Sequence, residues 1–302
     1  MEDMITGLCP QCGHTLHIPA ELASFSCMYC GARLTKEQLA AEPPAAQEAD
    51  EDRAAYYDRA VSRLGWCIKN FGGYQKKIMR DVFFEAFETY ETGCAPVIQE
   101  LARGVAPEQQ TKLLGRAAAA MLDELEAGWQ KKGDMEDEKI VLAIFFVPMV
   151  RKQQLPISEE FVTILQKQWV ERYPKSPFYL GDYESISGGF RKKFLGLCFI
   201  TTAVCQELGK PDDCEELTAF RAFRDGYLRS QPDGEALIRE YYNIAPGIVT
   251  CINTCSDRHA SYARIREEYL APCYQDLLAG RNESCKARYV RMVRDLEREY
   301  LS

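Results

Sequence analysis

Hydrophobic residues recur at the spacing of amphipathic helices along most of the chain. Ile78, Val82, Ala86 and Tyr90 lie four residues apart, and side chains at that spacing share one face of a helix. The later run from 140 to 150 is hydrophobic on every side, which is typical of a fully buried helix. Beyond the N-terminal segment no stretch alternates with the period of a strand, so the pattern predicts an all-α body.

Proline residues and helix caps indicate where further helices begin and end. Residues 107–131 start with proline, which suits a first turn, and are rich in helix-forming residues. Residues 134–153 have an acidic start and a basic end, as the helix dipole favours. Pro148 is expected to kink this helix. Ser158 is the predicted N-cap of a helix over 158–173.

Two C-x-x-C-G motifs stand near the N-terminus. Cys9 and Cys12 form the first pair, and Cys27 and Cys30 form the second after 14 intervening residues. Four thiolates at this spacing are able to bind one Zn²⁺ tetrahedrally, and a site filled by four protein ligands is structural because no position stays open. The pattern resembles the short N-terminal zinc ribbons of bacterial proteins. A redox C-x-x-C pair is the weaker interpretation, because the βαβ pattern of a thioredoxin-like fold is missing.

Changes in composition divide the chain into four predicted parts. Residues 1–36 form a small β-type zinc ribbon, and residues 37–53 form an acidic, Ala-rich linker with two adjacent prolines. A helical domain is expected over 54–190. Residues 174–194 contain several Pro and Gly residues and are predicted to form a connection between two subdomains. The last helical domain is therefore expected to span 191–302.

Charge narrows the classes of partner. The chain carries a formal net charge of −8, and within the predicted ribbon only Arg33 and Lys36 are basic, which excludes a phosphate-binding face. No apolar run approaches the length of about 20 residues that a membrane helix needs. The 13 cysteines, an odd number, and an N-terminus without signal-peptide features indicate a cytoplasmic protein with thiols rather than disulfides.

Four separated motifs occur in order in the last third of the chain. They are Cys198-Phe199-Ile200-Thr201-Thr202-Ala203, the pattern L-x-x-F-R-x-F-R-D-x-x-L over 217–228, Gly234, and Tyr241-Tyr242-x-x-x-Pro246. The succession resembles the bacterial CFI-box C-terminal domain over about 197–249, and residues 139–193 resemble the helical segment that precedes this domain in relatives with a zinc ribbon. The resemblance implies a bacterial source and a helical architecture, and it implies no activity.

Three cysteines within this region form a candidate thiol site. Cys198 and Cys205 are seven residues apart, which places them on one face of a helix. Cys214 is expected in the first turn of the next helix, capped by Asp212 or Asp213. A helix N-terminus lowers a thiol pKa, whereas the neighbouring carboxylates raise it. Core packing, metal binding and redox chemistry all remain open for these thiols.

Other polar residues of this region have structural interpretations. Arg224 and Asp225 are adjacent on a helix, so the partner of each is expected elsewhere. Tyr241-Tyr242 is predicted to pack a helix end. Cys251, Cys255 and His259 recur every fourth residue, but Ser256-Asp257 is expected to start a new helix and to break that alignment.

The function favoured by these patterns is a non-enzymatic adaptor or scaffold that binds a protein partner, with one structural Zn²⁺. Phosphate loops, nucleophile elbows and zinc-protease helices are missing from the sequence. The alternative is a thiol-dependent redox sensor or enzyme that uses Cys198, Cys205 and Cys214. Nucleic acid and membranes are not expected as partners, and no pattern specifies an oligomeric state.

Overall fold

The computed structural model describes residues 4–11, 15–39, 50–191 and 198–302. The chain divides into two compact units, Met1–Arg53 and Ala54–Ser302. The predicted division of the body at residue 190 stays a prediction.

The N-terminal unit contains two small antiparallel sheets. Strand β1 (Met4–Leu8) pairs with β2 (Thr15–Pro19), and β3 (Ser24–Ser26) pairs with β4 (Arg33–Thr35). Among the residues of this unit that the structure describes, the buried hydrophobic side chains are Cys9, Leu16, Ile18, Cys27 and Leu34. Three aliphatic side chains and two cysteines make a very small core, so burial of apolar surface contributes little to its stability.

Helices make up almost all of the second unit. Helix α1 (Asp50–Leu64) begins in the last residues of the first unit and continues into the second. The first half of the second unit also contains α2 (Trp66–Lys69), α3 (Phe83–Gly104), α4 (Gln110–Gly128), α5 (Lys132–Val141), α6 (Val147–Lys152) and α7 (Ser158–Arg172). The second half contains α8 (Tyr183–Arg191), α9 (Phe199–Glu207), α10 (Glu215–Ala222), α11 (Gly234–Cys255), α12 (Arg258–Ile265), α13 (Ala271–Leu278) and α14 (Asn282–Tyr300). The predicted all-α body with a small N-terminal β region is confirmed. Within the described ranges, every helix is too short or too polar to cross a membrane.

The apolar run at 140–150 lies in the centre of the body, as its sequence predicts. All of its side chains are buried, and the Phe145 ring packs against the rings of Tyr74, Phe83, Phe87 and Tyr90. A π-helical segment, Leu142–Phe146, joins α5 to α6 directly before Pro148. Such segments adjust a helix locally, and this one lies where a bend was expected.

Three local predictions are wrong. Ile78 is buried but precedes α3, and Val82 is the N-cap of that helix, so only Ala86 and Tyr90 of the four predicted residues lie in it. Ser158 is the first residue of α7 and does not cap it, since its hydroxyl accepts from the Leu155 N–H and donates to the Val150 carbonyl. The segment 174–194 is not only a connection, because it contains α8.

Helix α11 approaches the backbone near Ile78 closely, and this contact predicts a cost for Gly247→Ala. A Cβ at Gly247 would lie 1.9 Å from the Ile78 carbonyl oxygen. We expect the substitution to lower the free energy of unfolding by about 2 kcal/mol through overpacking. The measurement is urea denaturation, with Gly188→Ala as the control because a Cβ there has open space. Equal midpoints for the two variants would contradict the expectation.

Candidate metal centre and Arg224 cluster

Three of the four predicted metal ligands lie together in the N-terminal unit. Cys9 follows β1, Cys27 follows β3, and Cys30 ends the turn after Cys27. Their sulfur atoms all lie within 4.8 Å of one another, and the Cys9 and Cys30 Sγ atoms are 3.7 Å apart. Cys12 lies outside the described residues. The cluster Cys9, Cys27 and Cys30 is therefore able to hold a metal ion.

A tight turn positions the second cysteine pair. The Cys27 N–H donates to the Ala32 carbonyl at 2.8 Å, and the Gly31 N–H donates to the Cys27 carbonyl at 2.9 Å. Gly31 has a φ of +76°, a conformation that residues with a Cβ rarely adopt. The glycine that the motif places after the second pair thus allows the chain to turn back at the ligands.

The same turn exposes two large apolar side chains. Met28 and Tyr29, which lie between Cys27 and Cys30, are 82% and 57% exposed. Leu22 in the same unit is also exposed. Isolated exposed apolar residues are ordinary, whereas Met28 and Tyr29 are adjacent in the chain and both are exposed.

Three of the four C-terminal motifs meet around the guanidinium of Arg224, whose side chain is only 9% exposed. Its Nε and Nη2 donate to the Asp225 carboxylate at 2.7 and 2.6 Å. Its Nη1 donates to the Tyr242 hydroxyl at 3.0 Å and lies 3.6 Å from the Cys198 sulfur. Residues from three of the motifs are thereby joined by one side chain.

The expectation that Arg224 and Asp225 have partners elsewhere is therefore wrong for Asp225. Both residues belong to a π-helical segment, Phe223–Tyr227, so the spacing rules of an α-helix do not apply to them. The long arginine side chain folds back along the helix to its neighbour. This ion pair holds the pKa of Asp225 below its usual range, mainly through the hydrogen bonds from Arg224.

Tyrosine hydroxyls complete the same cluster. The Ile200 N–H donates to the Tyr241 hydroxyl at 3.0 Å, and the Thr201 and Tyr289 hydroxyls lie 3.1 Å apart. Tyr241-Tyr242 does not pack a helix end, because α11 continues through Pro246 to Cys255. The residues around Pro246 are buried, and their tertiary packing outweighs the hydrogen bond that the proline removes.

The structure separates the three cysteines of the candidate thiol site. Cys198 is the N-cap of α9 and lies beside Arg224, whereas Cys205 lies near the end of α9 and has Cys214 as its neighbour. Cys214 is itself the N-cap of α10, so the predicted capping by Asp212 or Asp213 is wrong. The helix begins at Glu215, directly after Cys214, so both aspartates precede the capping position.

Burial disfavours the thiolate at two of these cysteines. Burial raises the pKa of Cys198, although the nearby Arg224 acts in the opposite direction. Burial, followed by the neighbouring Cys214, raises the pKa of Cys205 to about 12. Both groups are consequently thiols at neutral pH, and neither has the electrostatic environment of an activated nucleophile.

The predicted break between Cys255 and His259 is confirmed. Asp257 caps α12 and accepts from the Ala260 N–H at 3.1 Å. Cys255 is buried, whereas the exposed His259 side chain pairs with Glu207. Among the described residues, the thiols of Cys9, Cys27 and Cys30 form the cluster that is compact enough for a metal ion.

Sequence reasoning missed one buried polar cluster. The Lys139 ammonium donates to the Ser176 hydroxyl at 2.8 Å and pairs with Glu136 at 2.5 Å. Ser176 in turn donates to Glu136 at 2.6 Å. The sequence feature that could have indicated this cluster is Lys139, a lysine directly before the apolar run at 140–150. The cluster ties the chain after α7 to α5, and all of its buried charge is paired.

The chain matches no family model, no curated protein and no solved structure. The CFI-box resemblance therefore stays a prediction, and it depends on the four motifs quoted above.

Proposed function

We propose that the protein is a non-enzymatic adaptor, in which a zinc-ordered N-terminal ribbon docks on a partner protein. The single observation that carries this proposal is the exposure of Met28 and Tyr29 on the turn between two metal-binding cysteines. A metal at the base of the turn would hold both side chains rigidly, which lowers the entropy cost of binding.

The sulfur geometry suits a zinc ion. Four thiolates at the usual Zn–S distance of about 2.3 Å occupy a tetrahedron with edges of about 3.8 Å. The 3.7 Å separation of the Cys9 and Cys30 sulfurs matches that edge. With Cys12 as the fourth ligand, the coordination shell would be closed, so the ion would stabilise the ribbon and would not bind a substrate.

The expected partner is a protein with an apolar pocket. Arg33 and Lys36 are the basic residues of positions 1–36, which also contain Glu2, Asp3 and Glu21. Four thiolates around one Zn²⁺ add further negative charge. A nucleic-acid backbone would be repelled by this charge, whereas a methionine and a tyrosine suit a hydrophobic pocket on a protein surface.

The double variant Met28→Ser/Tyr29→Ser tests this function. We expect it to weaken partner binding at least about 30-fold, the effect of losing about 2 kcal/mol at an interface hot spot. The measurement is quantitative photo-crosslinking in extracts of the source cells, followed by titration of the captured partner. Zinc content should stay unchanged, because neither residue is a predicted ligand.

Leu278→Ser is the matched control, since Leu278 is 64% exposed and lies in the helical body. It should bind the partner as the wild type does. Equal binding by the ribbon variant and the wild type, with zinc retained, would refute docking through this turn.

The alternative thiol-dependent function has less support. Cys198 and Cys205 are buried, and the pKa values of both thiols are raised. Rapid alkylation of Cys198 in the native protein would favour the alternative over the adaptor.

A further inference from the structure

An apolar cavity of about 60 Å³ lies beside the Arg224 cluster. Its lining comes from α10, the segment Phe223–Tyr227 and the residue after it, α11 and α14. The walls are mostly hydrophobic and include the side chains of Phe220, Phe223, Leu228, Leu237, Ile238 and Val293. Close-packed protein interiors contain few cavities larger than a water molecule, and apolar ones stay dry and bind apolar molecules.

All four C-terminal motifs form or support this cavity. Cys198 of the first motif and Tyr241 of the last motif line it. The second motif contributes Phe220, Phe223, Arg224 and Leu228. Gly234 lets α11 begin against this wall, because a Cβ at Gly234 would lie 1.8 Å from the Leu228 carbonyl oxygen. The motifs that an adaptor function leaves unused thus surround one cavity.

Among the described residues, each charged side chain of the lining is already in an ion pair. Arg224 holds the Asp225 carboxylate through two hydrogen bonds. Arg294 donates to both carboxylate oxygens of Glu240, at 2.5 and 2.7 Å. Both side chains of this second pair are half-exposed, which places it at the solvent-facing end of the cavity. An ionic ligand group would have to displace one of these partners, so the group that enters is uncharged.

The volume favours a chain over a ring. One water-sized group needs about 10–15 Å³, so the cavity of about 60 Å³ has room for roughly four to six such groups in total. An apolar cavity that binds benzene measures about 150 Å³. An aromatic ring is therefore too large to be enclosed here, whereas a short alkyl chain is not.

We infer that this cavity binds the terminal alkyl chain of an uncharged small molecule, whose polar end stays in solvent beside Glu240 and Arg294. Transfer of each methylene from water to the apolar walls drives the binding. The occupant contacts residues of α10, α11 and α14 at once, so it stabilises the packing of the helices around the Arg224 cluster. This inference does not rest on the adaptor function.

The test titrates the full-length, zinc-loaded chain with the unbranched primary alcohols from ethanol to octanol and follows its isoleucine, leucine and valine methyl groups by NMR. We expect the signals of Leu237, Ile238 and Val293 to shift. The affinity should rise about fourfold for each added methylene, and should level off at about pentanol, where the cavity is full.

Three outcomes of this titration would overturn the inference. The first is equal affinity for ethanol and pentanol, or shifts scattered over the whole body. The second is a fourfold rise that continues to octanol, which would place the chain in a longer site. The third is tighter binding of pentanoate or pentylammonium than of pentanol, which would show that an ionic group is recognised.

The variant Val290→Phe tests the position of the site. Val290 lines the cavity and is only partly buried, so a phenyl ring there should fill the space without disrupting the core. We expect pentanol to bind at least about tenfold more weakly, the effect of losing roughly two buried methylenes. Val249→Phe is the matched control, because Val249 is also partly buried but lines a different cavity.

The control variant should bind pentanol as the wild type does. Equal binding by Val290→Phe and the wild type would contradict this position of the site. The wild-type alcohol series needs no variant to fold, and its outcome does not depend on docking by the ribbon.

Discussion

Replacing Cys27 by serine is expected to unfold the N-terminal ribbon and to leave the helical body folded. Among its described residues, the ribbon buries only Leu16, Ile18 and Leu34 as hydrophobic side chains besides its cysteines, which is too little apolar surface to offset the conformational entropy of so short a segment. Structural zinc supplies about 10–16 kcal/mol to comparable small units. Removal of one thiolate should therefore abolish both zinc binding and the ribbon fold.

Elemental analysis and hydrogen exchange measure this result. The zinc content should fall from one ion per chain to none. The backbone amides of β1 to β4 should lose their protection against hydrogen exchange, while the amides of the apolar run at 140–150 should keep their protection. Met28→Ser is the matched control, because it changes the same turn and should retain zinc. A Cys27→Ser protein with one zinc and a protected ribbon would show that the metal centre is elsewhere.

Chelation of the wild-type chain should give the same pattern as Cys27→Ser. The thermal transition of the helical body should not move, since the body has its own hydrophobic core. A body that melts earlier without the metal would contradict a purely local role of the ion.

The second large effect is expected for Asp225→Ala, at about 3 kcal/mol of lost stability. The side chain of Arg224 is 9% exposed and that of Asp225 is 48% exposed. Removal of the carboxylate takes two charge-assisted hydrogen bonds from a buried guanidinium, which is strongly destabilising. Arg224→Met should cost less, because the half-exposed carboxylate of Asp225 regains water and methionine refills the apolar space.

Urea denaturation of both variants measures this asymmetry. A larger loss for Arg224→Met than for Asp225→Ala would contradict it, and would indicate that packing of the arginine stem outweighs its charge. Tyr242→Phe is a useful control, because it removes one acceptor of Arg224 and keeps the ring.

Acid should weaken the same contact in the wild type. The pKa of Asp225 is lower in the folded protein, mainly because of the hydrogen bonds from Arg224. Its stabilising contribution is complete above the unfolded-state pKa of about 3.9, and is lost as the pH falls through the lower folded-state pKa. As the pH falls below about 5, the free energy of unfolding should therefore decrease less for Asp225→Ala than for the wild type.

Much of the molecule is determined by local sequence patterns. The all-round apolar run at 140–150 can only be buried, and it forms the centre of the body. The sulfurs of Cys9, Cys27 and Cys30 lie together, as their motifs predict. Cys27 and Cys30 have two residues between them, so a tight turn is enough to bring them close, and Gly31 allows that turn. Asp257 caps α12 for a similarly local reason.

Contacts between distant segments decided the rest. The motifs around 198, 224 and 242 are separate in sequence, and only the packing of α9 and α11 around the segment Phe223–Tyr227 places them against one guanidinium. Ser158 was misassigned because its hydroxyl is bonded to a carbonyl of the preceding helix instead of its own first turn.

The cysteines show this division most clearly. Their positions indicated a metal site at the N-terminus and an undecided set of thiols in the body. The neighbours of each thiol and its burial depend on how consecutive helices pack against each other. That packing is determined by the burial of many side chains together. Sequence by itself therefore determined the helical class and the grouping of the N-terminal cysteines, and only the tertiary structure placed Cys205 beside Cys214 and Cys198 beside Arg224.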